Sequence, residues 1–145
     1  MSNRISMKDI EPYAYKAMMA LENYTQGSQI SNTLKVLIKI RASQINRCAY
    51  CIDMHTEDAI KYGESERRIF ALSAWTESHL FTNEERAALQ LTEELTILGN
   101  HGISEVTYQN CIDTFGEKTT AQIIMQIVVI NAWNRIAIPT KMIYK

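Results

Sequence analysis

The stretch Ile123-Ile-Met-Gln-Ile-Val-Val-Ile-Asn-Ala-Trp133 decides the fold class. Its centre, Ile127-Val-Val-Ile130, is β-branched at every position and in isolation could form a strand. Length argues against that, because the apolar run continues well past the roughly five or six residues of a typical strand. Read as a helix, it extends from about Glu117 to Ile138, just ahead of Pro139. A helix that is apolar almost all round must be covered on every side. It is therefore expected at the centre of the domain and also packed on another subunit. Gln126 and Asn131 interrupt the run, and Asn134 and Arg135 follow it. It thus reads as too short and too polar to cross a bilayer, which needs about 20 apolar residues.

Working outward, the five glycines mark where helical patterns stop. Gly27, Gly63, Gly99, Gly102 and Gly116 each lie at the end of an amphipathic segment, and none interrupts one. The periodicity predicts a first helix over about Asp9 to Tyr24, with Pro12 in its first turn, where a missing N–H costs little. A second covers about Asn32 to Ile45, a third runs from near Arg47 to Gly63, and a fourth spans about Ser65 to Trp75. Thr82-Asn-Glu-Glu85 is a capping box that opens a fifth helix, ending at Leu98. Ser104 caps a sixth, which stops at Gly116. No repeat, low-complexity tract or long linker divides the chain. The expectation is all-α: one domain over 1–145, a bundle of about six to eight helices.

Composition narrows the function. The chain has 145 residues, enough for one real core, and 46% of them are hydrophobic, so disorder is excluded. With 15 basic and 16 acidic residues the formal net charge is −1. That balance leaves no basic footprint for nucleic acid and no polybasic membrane patch. The segment MSNRISMKDIEPY has no apolar run of signal-peptide length, so a cytoplasmic location is expected. In a reducing compartment three cysteines do not form a disulfide framework, and a CxxC is more often catalytic or metal-binding.

The candidate site is Cys48-Ala-Tyr-Cys51-Ile-Asp-Met-His55. On a helix, Cys48, Cys51 and His55 at i, i+3 and i+7 share one face. Cys48 is expected in the first turn, where unpaired N–H groups and the helix dipole favour an anion and hence a thiolate. His55, one turn beyond Cys51, can take its proton. Two sulfurs one turn apart can close a disulfide once one is oxidised. Zinc is the rival: structural zinc takes four ligands, these residues supply three, and the fourth would be Cys111, His79 or His101. No second pair with ligand spacing exists, so no metal or other cofactor is expected. A third reading makes the trio buried structural residues. Arg47, Asp53 and Glu57 count against it by marking the helix as partly exposed. Cys111, among Tyr108, Ile112 and Phe115, reads as a core residue, and His79 and His101 as surface residues.

Arg41-Ala-Ser-Gln-Ile-Asn-Arg-Cys-Ala-Tyr-Cys-Ile-Asp-Met-His55-Thr resembles the signature of the AhpD-like, or carboxymuconolactone decarboxylase, superfamily. The likeness continues through Ala71-Leu-Ser-Ala-Trp-Thr-Glu-Ser78, Glu85-Arg-Ala-Ala-Leu89 and Ile130-Asn-Ala-Trp-Asn-Arg135, with the motif core at about 30–80. It implies an AhpD-like helical fold assembled as homo-trimers or hexamers. It also implies reduction of hydroperoxides, or related disulfide chemistry, through the cysteine pair and an external dithiol reductant. By the same resemblance Cys51 attacks and Cys48 resolves, whereas the helix dipole alone favours Cys48 as the nucleophile. The decarboxylase branch generally lacks the cysteine pair.

Two positions depart from the family pattern. Family peroxidases carry a relay glutamate twelve residues before the first cysteine, and that position here is Val36. No Asp or Glu occurs between Glu22 and Asp53, so the relay is either incomplete or supplied otherwise, as by a carboxylate from another helix or subunit. Arg47 stands where the family often has glycine and is expected to add positive charge beside the thiols. Tyr50 and Ser43 complete the candidate supporting set. The expected function is a thiol-dependent peroxidase or disulfide oxidoreductase. The alternative is a non-enzymatic redox sensor or structural oligomer that has lost the relay.

Overall fold

The computed structural model describes residues 4–144, so the outermost ends of the expected 1–145 domain lie outside the described residues. The order is α1 (Met7–Ile10), α2 (Pro12–Gln26), α3 (Asn32–Asn46), α4 (Ala49–Lys61), α5 (Glu66–Ala71), α6 (Asn83–Thr96) and α7 (Glu105–Thr140). A 3₁₀ turn at Leu72–Ala74 follows α5. Among the described residues there is no strand, and Ile127–Ile130 lies inside α7.

The caps follow the sequence. Ser31, Ser65, Thr82 and Ser104 each accept an N–H from their own first turns, and Thr82 and Glu85 form the reciprocal capping box. Gly116 has φ 75 and ψ 167, which kinks α7 into the two helices expected on either side of it. At the other end Pro139 does not stop the helix, which runs on to Thr140. Only a few N–H groups follow Pro139, so its steric and hydrogen-bonding penalty falls on the last turn alone.

The centre of the bundle is α3 and the second half of α7. Helix α3 packs on α4, α6 and α7, while α7 packs on α2, α3, α4 and α6. Leu37, Ile38, Ile40, Leu89, Ile123 and Ile127 are almost wholly buried between these helices. Each contributes roughly 1.5–3 kcal/mol by leaving water. The full extent of α7, Glu105–Thr140, corrects the expectation of a segment too short and too polar to cross a membrane. By length and composition it qualifies, but it is packed against four other helices as a core element. Its polar residues join it to α3: Asn46 donates to Asn131 at 2.9 Å and to Asn134 at 2.8 Å, and Asn134 donates to Ser43 at 3.1 Å.

Candidate active site

Helix α3 ends at Arg47, whose φ of 57 and ψ of 42 place it in the left-handed region. Its N–H and that of Cys48 return to carbonyls of Gln44 and Ser43, closing the helix and turning the chain directly into α4. This explains the glycine expected here, since glycine adopts positive φ without steric conflict. Arg47 thus closes α3 through its backbone, with its side chain exposed. One expectation is corrected here. Cys48 is the N-cap of α4, not a residue of its first turn, and its carbonyl accepts the Ile52 N–H at 3.0 Å.

Cys48 and Cys51 are joined as a disulfide with their Cα atoms 5.4 Å apart. Both are 1% exposed, packed with Ala42, Ile130 and Ala137. The two residues nonetheless differ in their surroundings. A cavity of about 390 Å³ is lined by Cys51, Met54, His55 and Asp58 of α4, but not by Cys48. His55, one turn along, is buried at 5% exposure, and its Nδ1 lies 3.2 Å from Asp58 Oδ2. With Nδ1–H donated to that carboxylate, Nε2 carries the free lone pair of the neutral ring. Burial pushes the imidazole below its ordinary value of 6.5; the Asp58 bond opposes the shift and Lys39 adds to it. His55 is thus a neutral base at pH 7, oriented by a carboxylate.

The facing wall comes from α2, α3 and α7. Val36 lines the cavity and is 3% exposed, so the relay position holds an apolar side chain. Lys39, three residues on along the same face of α3, reaches Glu22 of α2 with Nζ–Oε1 at 2.6 Å. Trp133 donates its indole N–H to the other Glu22 oxygen at 3.1 Å, and Tyr15 packs edge-on against that indole at 5.6 Å. Two carboxylates therefore face the cavity, Asp58 and Glu22, although neither lies on α3. Asp58 is findable in sequence as the i+3 neighbour of His55. Glu22 and Lys39 carry no local signal, since they meet only when α2 docks on α3.

Of the supporting residues, Tyr50 lines the cavity and packs edge-on against Tyr144 at 6.0 Å. Ser43 does not line it: fully buried, its hydroxyl accepts from Asn134, and its carbonyl accepts the Cys48 N–H at 3.0 Å. Its part is to fix where α4 begins. Cys111 lies in a separate core cluster with Ala87 and Ile123, and His79 and His101 are exposed. The three residues considered as a fourth zinc ligand thus lie apart from the pair. Among the described residues no three His, Cys, Asp or Glu side chains converge as a metal site.

Of the distant motif blocks, the one at 130–135 places Trp133 on the cavity wall, and the other two are scaffold. Trp75 donates to Glu93 at 2.7 Å, the carboxylate that also pairs with Arg41 at 2.8 Å. Glu85 joins its capping box to Arg68, whose guanidinium stacks over Phe81.

The model of the carboxymuconolactone decarboxylase family matches residues 12–94. The uncharacterized protein YdfG of Bacillus subtilis is 44% identical over 138 residues, 95% of this chain and 94% of its own. The crystal structure of ATU0492 from Agrobacterium tumefaciens, a protein of unknown function and an AhpD antioxidant-defence candidate, superposes with a TM-score of 0.95. It is 37% identical, with 99% of each chain covered. A peroxidase-related protein with an alkylhydroperoxidase AhpD core from Ralstonia eutropha JMP134 shares the fold with a TM-score of 0.82. It is 15% identical, over 96% of this chain and 74% of that one.

Proposed function

The chain belongs to the carboxymuconolactone decarboxylase family and has the AhpD-like fold; from that premise we propose that it is a thiol-dependent peroxidase or disulfide oxidoreductase working through Cys48 and Cys51. The observation that carries this reading is that Cys51, bonded to Cys48, faces a cavity shared with a buried His55–Asp58 pair. In the reduced protein His55 Nε2 takes the Cys51 thiol proton. The thiolate attacks the terminal oxygen of a hydroperoxide. The O–O bond breaks, the alcohol leaves with a proton, and Cys51 becomes a sulfenic acid. Cys48 then attacks that sulfur, forming the disulfide and releasing water. An external dithiol supplies two electrons and two protons to restore the pair and is itself oxidised to a disulfide.

Cys51 as attacker and Cys48 as resolver fit the cavity lining, which includes Cys51 and not Cys48. Cys48 is the N-cap residue of α4, at the positive end of the helix dipole. That placement stabilises Cys48 as the leaving thiolate when the disulfide is reduced. The missing carboxylate at Val36 is offset by Asp58, which orients the base from the same helix. The cycle needs a reducing supply, which suits the cytoplasm. Exposed apolar side chains such as Phe70 at 76% and Val106 at 80% support assembly with further copies of the chain.

The test is steady-state consumption of tert-butyl hydroperoxide with dithiothreitol as reductant. Catalytic turnover that disappears in Cys51→Ser supports the enzyme. Stoichiometric oxidation without turnover supports the redox sensor instead.

A further inference from the structure

The wall opposite Cys51 holds a charged pair that the chemistry above does not use. The side chains of Lys39 and Glu22 are 11% and 14% exposed, they bond at 2.6 Å, and both line the cavity that reaches Cys51 and His55. Taking two charges out of water offsets most of their mutual attraction, so an apolar pair of similar volume would serve the fold as well. The glutamate is held twice, by Lys39 and by the Trp133 indole, which keeps the ammonium at a defined place on the wall. Lys39 also lies one turn from Val36 on the same face of α3. The polar function absent at 36 is thus replaced nearby by a group of opposite charge.

We propose that Lys39 is the cation that stabilises the Cys51 thiolate and the anion expelled by its attack, with Glu22 as the positioning residue that holds the ammonium there. A preorganised cation in a partly dry cavity favours the negative charge that develops on sulfur and on the leaving oxygen. The other titratable groups on the cavity are distributed by helix. Helix α2 adds Tyr15, α3 adds Lys35, and α4 adds Tyr50, His55, Asp58 and Tyr62, while α7 adds none. Lys35 Nζ is occupied by the Gln26 carbonyl at 2.7 Å, where it caps the end of α2. Lys39, held by Glu22, is the ammonium whose charge is felt at His55 and Asp58 on the helix that carries Cys51. The leaving-group half of this inference rests on the peroxidase reading, and the thiolate half does not.

The experiment reads the thiolate half without any peroxide. In reduced Cys48→Ser protein, the rate of Cys51 alkylation by iodoacetamide is followed against pH, with the modified peptide identified by mass spectrometry. Lys39→Met is expected to raise the apparent Cys51 pKa by about one unit or more, as for loss of a nearby opposite charge, and Lys39→Arg to leave it nearly unchanged. Glu22→Gln keeps an acceptor for Trp133 and removes the charge that offsets Lys39, so it is expected to lower the pKa. A pair that only holds helices together would move both variants together or neither, and either result overturns the inference. Should Lys39→Met not fold, Glu22→Gln decides alone: a downward shift supports the inference, and no shift or an upward one overturns it. If these shifts appear while the unmodified protein fails to turn over tert-butyl hydroperoxide, the peroxidase reading falls and the thiolate assignment stands. Turnover without the shifts gives the reverse.

Discussion

Cys51 and Cys111 are equally hidden, at 1% and 0% exposure, yet their surroundings differ in every respect that governs thiol chemistry. Cys111 lies in the first half of α7, its sulfur directed at the Ala87 carbonyl at 3.4 Å among apolar neighbours. Burial pushes its thiol up to about 11, so at neutral pH it remains protonated and inert. Cys51 stands in the first turn of α4, faces a cavity, has a histidine one turn away and shares that cavity with Lys39. Burial alone therefore does not distinguish the two cysteines. A nearby base, a favourable charge and space for a reactant do.

The sharpest contrast is in activity. Cys51→Ser is expected to lower hydroperoxide turnover by roughly 10³-fold or more, because among the described residues no other thiol lines the cavity. Cys111→Ser should keep turnover within about twofold per folded molecule, measured on the soluble fraction. Equal losses in the two variants would break the comparison.

The base comes next. His55→Asn is expected to reduce kcat/KM by about 10²–10⁴-fold, the usual range for general acid–base help. Asp58→Asn should cost less, since it removes the orienting carboxylate and leaves the ring. Because burial holds His55 below 6.5, the unmodified protein should keep its activity as pH drops to that ordinary value. If the acid limb instead lies above 7, His55 is not the group that takes the proton.

Smaller effects should appear in stability. Below about pH 6.5 the unfolded chain protonates His55 while the folded chain resists, so the unfolded state binds more protons. Stability is thus full above that value and is lost as pH falls. Thermal unfolding from pH 7 to pH 5 should show a falling midpoint, with a shallower fall in His55→Asn. At the core cysteine, Cys111→Ser should cost about 1–3 kcal/mol in chemical denaturation, the penalty for a hydroxyl in an apolar site where the thiol had made only a weak bond. Cys51 of the reduced protein is expected to tolerate Ser with less loss, since the cavity it lines offers polar neighbours.

The order of these effects follows from which contacts are local. The Cys48–Cys51–His55 face, the capping box at Thr82 and the break at Gly116 are set within one or two turns of chain, and each is legible in the sequence. Asp58 is equally local, the i+3 neighbour of His55 on α4. Glu22 and Lys39 come together across the docking of two helices, which periodicity does not report. Arg47 shows a different limit: its charge suggests a role beside the thiols, but its left-handed backbone closes α3 and its side chain is exposed to solvent. Ser43 likewise is a buttress, bound by Asn134 from a helix that follows it by about ninety positions in the chain.

The most direct measurement maps the thiols of the fully reduced protein before and after one equivalent of tert-butyl hydroperoxide, by trapping and peptide mass analysis. Conversion to a Cys48–Cys51 disulfide with Cys111 still free is the expected result. Cys48 and Cys51 remaining as free thiols, or oxidation that falls on Cys111 instead, would contradict it.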